Sequence, residues 1–186
     1  ESITFTDGQI ENYDAVIATG SDNTARYFDY YFRNKPNIIR RNRNAVAVLT
    51  GEESKEELEL LADEVFCYYG LGCRNVSKLF VPKGYDFTNF FQAMYRWKDI
   101  VQEVKYMNNY DYNKAVYLMS NHKTGDLLDN DFLLLKNDEG FSSPIGVVFY
   151  SYYDSLDEVD QFLSKQEDKI QCVVSQEKLS MDVVAF

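Results

Sequence analysis

The chain has 186 residues, 45% of them hydrophobic and 26% charged, which suits one domain, or one domain plus a piece of another, around a sizeable core. Its net charge of −11 argues against nucleic-acid binding, which needs a basic footprint. No stretch is long and apolar enough to span a bilayer and no signal peptide is visible, so a cytoplasmic protein is expected, beginning at Glu1 as an excised piece would.

The 15 Tyr and 13 Phe exceed what a thin core needs. Most serve packing, and the remainder leave room for an apolar channel or a homo-oligomer interface. Cys67, Cys73 and Cys172 form no disulfide framework, and the odd count fits a reducing compartment. With His122 the single histidine, no metal-ligand spacing occurs.

In chain order, Asp14–Thr19 reads as a buried strand closed by Gly20-Ser21. A helix follows from Asp22 to about Arg33, with Ser21 as N-cap and Ala25, Phe28, Tyr31 and Phe32 facing the core. A strand, a Gly-Ser turn and a helix start aim backbone N–H groups at an anion. Arg33, Lys35, Arg40, Arg41 and Arg43 then form a basic patch where Pro36 breaks the helix, either a solvated link or a phosphate contact.

Ala45–Leu49 is a second buried strand. Ser54 and Glu57 make a capping box for a helix with Leu58, Leu61, Ala62, Val65, Phe66 and Tyr69 on one face, stopped by Gly70. Val76–Val81 is a third strand, ended by Pro82. Asp86 caps a helix running, with a break, towards Met107, and 110–121 favours helix over strand. Phe132–Leu135 and Ile145–Tyr150 are strands. Ser155 and Glu158 form another capping box for a helix to about Gln166, and Ile170–Val174 is the last strand. Apolar strands alternating with helices predict an α/β fold with a mostly parallel sheet covered by helices.

Cys67 and Cys172 fall inside a helix and a strand and read as packing residues. Cys73 follows Gly70-Leu71-Gly72 outside regular structure, and reads either as a nucleophile or as a structural cysteine in a turn. A Cys–His dyad would need His122 in reach. Acyl transfer from a thioester suits the residues better, because a thiolate leaving group needs little protonation.

Ala18-Thr19-Gly20-Ser21, the basic connection into Val46-Ala47-Val48-Leu49, Gly70-Leu71-Gly72-Cys73-Arg74-Asn75-Val76-Ser77, and the strand–helix–strand unit from Pro144 to Ser175 occur in that order. Together they resemble the acyl-CoA reductase family, relatives of the fatty-acid reductase of bacterial luminescence, within the aldehyde dehydrogenase superfamily. The resemblance implies an aldehyde dehydrogenase-like catalytic domain over 44–186 and the terminal part of a nucleotide-binding domain over 1–43. Most of that second domain would precede Glu1, leaving the isolated piece inactive.

It further implies that Cys73 attacks an acyl-CoA thioester, that NADPH is the reductant, and that an aldehyde leaves. Gly20 and Ser21 match the cofactor turn. Arg40, Arg41 and Arg43, with Arg74 and Asn75 beside the thiol, are the expected contacts to substrate or phosphate. Two departures stand out. Ile38–Asn44 holds no acid where hydrolytic relatives place a glutamate base, and Glu139-Gly140-Phe141-Ser142-Ser143-Pro144 is one residue out of register with the superfamily's ribose-binding glutamate. An NAD(P)-dependent aldehyde dehydrogenase and a non-catalytic interaction module are the alternatives.

Overall fold

The computed structural model describes residues 3–8, 12–19, 22–40, 44–120 and 127–185. Two compact units divide the chain, Glu1–Asn42 and Arg43–Phe186.

The first unit is a single β-α-β crossover: β1 (Val16–Thr19), α1 (Asp22–Phe32) and β2 (Asn37–Arg40). Its strands pair in parallel, Val16 opposite Asn37. The strand β2 lies within the stretch expected to be a basic connection. Its Asn-Ile-Ile run is short and bounded by Pro36 and arginines, so the β signal is diluted. Asn37 donates through Nδ2 to the carbonyls of Phe32 and Lys35, closing the helix end and starting the strand. Phe28 and Phe32 stack at 5.7 Å, and Tyr13 meets Phe32 edge-on. Tyr31, expected in the core, is 68% exposed and packs against Tyr30 instead.

The second unit is built on seven strands: β3 (Asn44–Val48), β4 (Val76–Pro82), β5 (Leu127–Asp129), β6 (Leu134–Asn137), β7 (Val147–Tyr153), β8 (Ile170–Val174) and β9 (Val183–Val184). Their order is β5-β6-β7-β4-β3-β8-β9. All neighbours run parallel except β5 and β6. Helices α2 (Lys55–Phe66), α3 (Thr88–Met94), α4 (Val104–Met119) and α5 (Leu156–Ser164) complete it. No described helix is long and apolar enough to cross a membrane.

The sheet is buried on both faces, and β3 shows why its sequence is continuously apolar. Ala45 and Ala47 join Leu79 and Val81 beneath Leu58, Leu61 and Phe66 of α2 and Phe90 and Met94 of α3. Val46 and Val48 turn the other way, joining Phe80 and Val173 beneath Val159 and Leu163 of α5. Side chains alternate across a strand, so a strand with two covered faces shows no polar alternation.

The expected elements of this unit are present, with small shifts. The break after α3 is a 3₁₀ winding over Tyr95–Gln102, and 110–119 belongs to α4. The edge strands β5 and β9, three and two residues long, carry too little pattern to be read from sequence. At α2 the capping box is complete: Ser54 Oγ accepts from the Glu57 N–H, and the Glu57 carboxylate accepts from the Ser54 N–H. At α5 only half of it forms, because Glu158 takes the Asp154 N–H rather than that of Ser155.

Ser54→Ala should therefore lower the unfolding free energy by about 1 kcal/mol in urea denaturation. Ser155→Ala should cost less, since its partner glutamate keeps its own bond.

Candidate active site

The site begins where α2 stops. The sequence predicts a helix through Tyr69, but α2 ends at Phe66 with Cys67 as its C-cap, donating its N–H to the Asp63 carbonyl. Tyr68 and Tyr69 then adopt left-handed backbone, φ 53° and 60°. Side chains with a Cβ pay about 1–3 kcal/mol for such geometry, and it persists only where the surroundings enforce it. The reversal leaves Tyr68 82% and Leu71 67% exposed.

The following turn is clamped by one side chain. Asn75, 7% exposed, accepts the Gly72 N–H at its Oδ1 (2.8 Å) and donates from Nδ2 to the Glu64 carbonyl (2.8 Å). Its own N–H donates to the Gly72 carbonyl. The loop is thereby fastened to the last turn of α2. A Cβ on Gly72 would stand 2.7 Å from Asn75 Oδ1, so a side chain there must break the clamp. Asn75, expected to touch substrate or phosphate, also fastens this turn to the helix through both ends of its amide.

Cys73 sits on this turn, exposed to solvent, just before the N-terminal end of β4. The other two cysteines are half-buried. Burial pushes both thiols above their ordinary range. At Cys67 the carboxylates of Asp63 and Glu64 add to the rise. At Cys172 the nearby guanidinium of Arg74 partly offsets it. Arg74, Glu64, Gln171, Cys172 and Asp182 line a cleft of about 320 Å³. Sequence reading did not single out Glu64, whose place in this cleft depends on how α2 ends.

The connection from β6 to β7, residues 138–146, comes against the start of β4. A narrow gap between it and the cysteine turn is lined by Tyr69, Gly70 and Ser77 on one side and Ser143 to Gly146 on the other. Ser77 Oγ donates to the Phe141 carbonyl at 2.7 Å. Lys78, only 1% exposed, donates from Nζ to the Asp138 carbonyl and to Ser151 Oγ. Burial pushes its ammonium down to about 8, against the opposing pull of Glu139 and Asp138. The sequence signal for Lys78 was available: a cation inside an apolar β-run is rare unless it is satisfied.

Of the remaining expected site residues, Gly20, Ser21, Arg41 and Arg43 lie outside the described residues, as does His122. Arg40 closes β2.

No family model matches the sequence, and no curated protein matches it. Solved structures do share the fold. An indole-3-acetaldehyde dehydrogenase bound to NAD+ matches with a TM-score of 0.58 at 14% identity, over 87% of this chain and 40% of that one. A mutant aldehyde dehydrogenase from Bacillus cereus matches at 0.59 and 14% identity, over 92% and 44%. An NAD-dependent benzaldehyde dehydrogenase from Corynebacterium glutamicum matches at 0.58 and 10% identity, over 92% and 46%. The chain therefore has the α/β fold of these enzymes' sheet-bearing part and spans less than half of their length.

Two outcomes follow from the geometry. Limiting iodoacetamide should modify Cys73 before Cys67 or Cys172, as read by peptide mass spectrometry; prior labelling of either half-buried thiol would contradict the assignment. Asn75→Ala should cost about 1–3 kcal/mol in chemical denaturation, by leaving the Gly72 N–H and Glu64 carbonyl without their shared partner.

Proposed function

We propose that this chain is the catalytic part of an acyl-CoA reductase of the cytoplasm, with Cys73 as the nucleophile that carries the acyl group. The observation that supports this most is the placement of Cys73: the exposed thiol of the three, on a clamped turn at the head of a central strand, in a fold shared with aldehyde dehydrogenases.

In the proposed reaction the Cys73 thiolate attacks the thioester carbonyl carbon of a fatty acyl-CoA. The Cys73 backbone N–H donates to the developing oxyanion, and the C–S bond to CoA breaks. CoA departs as a thiolate and takes up a proton from solvent. The acyl group is then held as a thioester on Cys73. A bound NADPH supplies the hydride when the cofactor is present. Hydride addition at the carbonyl carbon is followed by cleavage of the bond to Cys73, which frees the aldehyde and regenerates the thiolate. One thioester, one hydride and one proton are consumed; one aldehyde and one free thiol are produced.

Residues 38–44 contain no carboxylate, which suits an enzyme that must hold a thioester without activating water against it. Residues 44–186 form the catalytic domain in this reading, and 1–43 the end of the nucleotide-binding domain. The β1–α1–β2 crossover fits a nicotinamide cofactor in kind, because β1 leads into the start of an 11-residue helix where N–H groups favour a pyrophosphate. Gly20 and Ser21 would meet that pyrophosphate, and Arg40, Arg41, Arg43 and Arg74 the phosphates of substrate or cofactor. A second reading, oxidation of an aldehyde, is favoured by the shared fold, since the three solved structures are dehydrogenases.

In the intact protein, radioactive acyl-CoA should label Cys73, and Cys73→Ala or Cys73→Ser should abolish the label. Persistent labelling of the variants would end the proposal. Consumption of NADPH with acyl-CoA, faster than of NADH, separates reduction from the second reading, for which NADP reduction by aldehyde and water would dominate. A protein inert in both assays would be a non-catalytic module.

A further inference from the structure

Parallel neighbours need a crossover, usually a helix of a dozen or more residues. The strands β6 and β7 are joined by 138–146 alone, with no helix in it. This segment must return along the sheet from the end of β6 to the start of β7. Irregular backbone carried over a sheet has no ladder to satisfy it, and a buried polar group without a partner is costly.

The partners come from side chains of the strands beneath. Lys78 on β4 reaches past β7 to the Asp138 carbonyl and shares Ser151 Oγ with it. Its neighbour Ser77 holds the Phe141 carbonyl, and Ser143 Oγ donates to the Val147 carbonyl. The Asp138 carboxylate accepts from the Gly140 N–H and pairs with Lys136. Phe141 is stacked on Phe162 of α5 at 6.0 Å. The charged groups around Lys78 are thus Lys136, Asp138 and Glu139, and α5 contributes a ring.

An ammonium or amine needs no burial to bond a carbonyl, and burying it opposes its charge. Its place is explained by what it fixes. The two residues that grip the segment, Ser77 and Lys78, stand at the start of β4, directly after the turn that carries Cys73, so thiol and wall share one support.

We infer that Lys78 is a positioning residue of the cysteine site, holding 138–146 as the wall against which the acyl carbonyl is presented to Cys73. The inference rests on the acyl-transfer reading above. Lys78 touches no reacting atom; it acts through the Asp138 carbonyl. What it requires of position 78 is a hydrogen-bond donor on a long side chain, and charge is incidental.

The test compares Lys78→Met with Lys78→Gln in the intact protein. Lys78→Met should slow acylation of Cys73 by about 100-fold, the scale of a roughly 1 Å misplacement. KM for acyl-CoA and the iodoacetamide reactivity of Cys73 should stay at their parent values. Amide hydrogen exchange should accelerate across 138–146 and stay slow in α2 and β3. Lys78→Gln, which keeps a donor, should recover most of the rate and protect the segment again.

Parent-rate acylation by Lys78→Met would overturn the inference. A Gln variant that protects the segment yet remains slow would overturn it too, because charge would then act directly. Loss of Cys73 alkylation together with acylation in both variants would mean general structural damage instead. Should Lys78→Met not fold, Ser77→Ala removes the second tie alone and should shift rate and exchange in the same directions; no change in either refutes the wall. If the parent protein takes no acyl group, the proposed function falls, and the exchange measurement still decides whether Lys78 anchors the segment.

Discussion

Backbone that leaves a parallel sheet must find hydrogen-bond partners outside the ladder, and in this protein side chains at the head of β4 supply them. Asn75 satisfies an N–H and a carbonyl of the preceding turn and helix. Ser77 and Lys78 satisfy carbonyls of the segment that enters β7. Three polar residues within four positions, separated only by Val76, thus organise the backbone around the turn that carries Cys73. Each is polar in a region where apolar side chains would pack equally well, and each is buried or half-buried as a result.

The support beneath that arrangement is aromatic. Phe66, the last residue of α2, packs against Trp97, Tyr106 and Phe132. Trp97 donates from its indole nitrogen to Asp63 at 2.7 Å, and Arg96 pairs with the same carboxylate. Tyr106 donates to the Phe132 carbonyl. The end of α2 is therefore immobilised before its chain reverses, which is the condition for Tyr68 and Tyr69 to tolerate left-handed backbone. Part of the large aromatic complement is spent on this one junction and on the sheet face behind it.

Legibility from sequence followed the physical source of each feature. Two-sided burial writes itself into a strand as an apolar run, so β3, β4, β7 and β8 were visible, and so was the cap at Ser54. The strand β2 was not, because two isoleucines among arginines make no run. The end of α2 was placed three residues late: Tyr69 continues the helical spacing of apolar residues, and only tertiary packing forces it out of the helix. Cys73 stood out by its glycines. The bonds of Asn75 to Gly72 and Glu64 were not legible, since a sequence shows an amide but not which backbone it will meet. Lys78 was passed over although a lone cation in an apolar strand signals a bond that the fold must provide.

The sheet order carries a consequence for how the chain is made. One edge of β3 is covered by β4, about thirty residues downstream; the other is covered by β8, with Asn44 opposite Ile170 and Ser175 bonded back to the Val48 carbonyl across 127 positions. During synthesis the first strand of the unit thus keeps one edge unpaired until the chain has emerged beyond Val174. Pairings so distant in sequence form slowly because loop closure must precede their reward. An open apolar edge is also the surface on which chains add to one another. Whatever shields that edge over the interval acts on the pairing of β3 with β8 and not on any contact local to either strand.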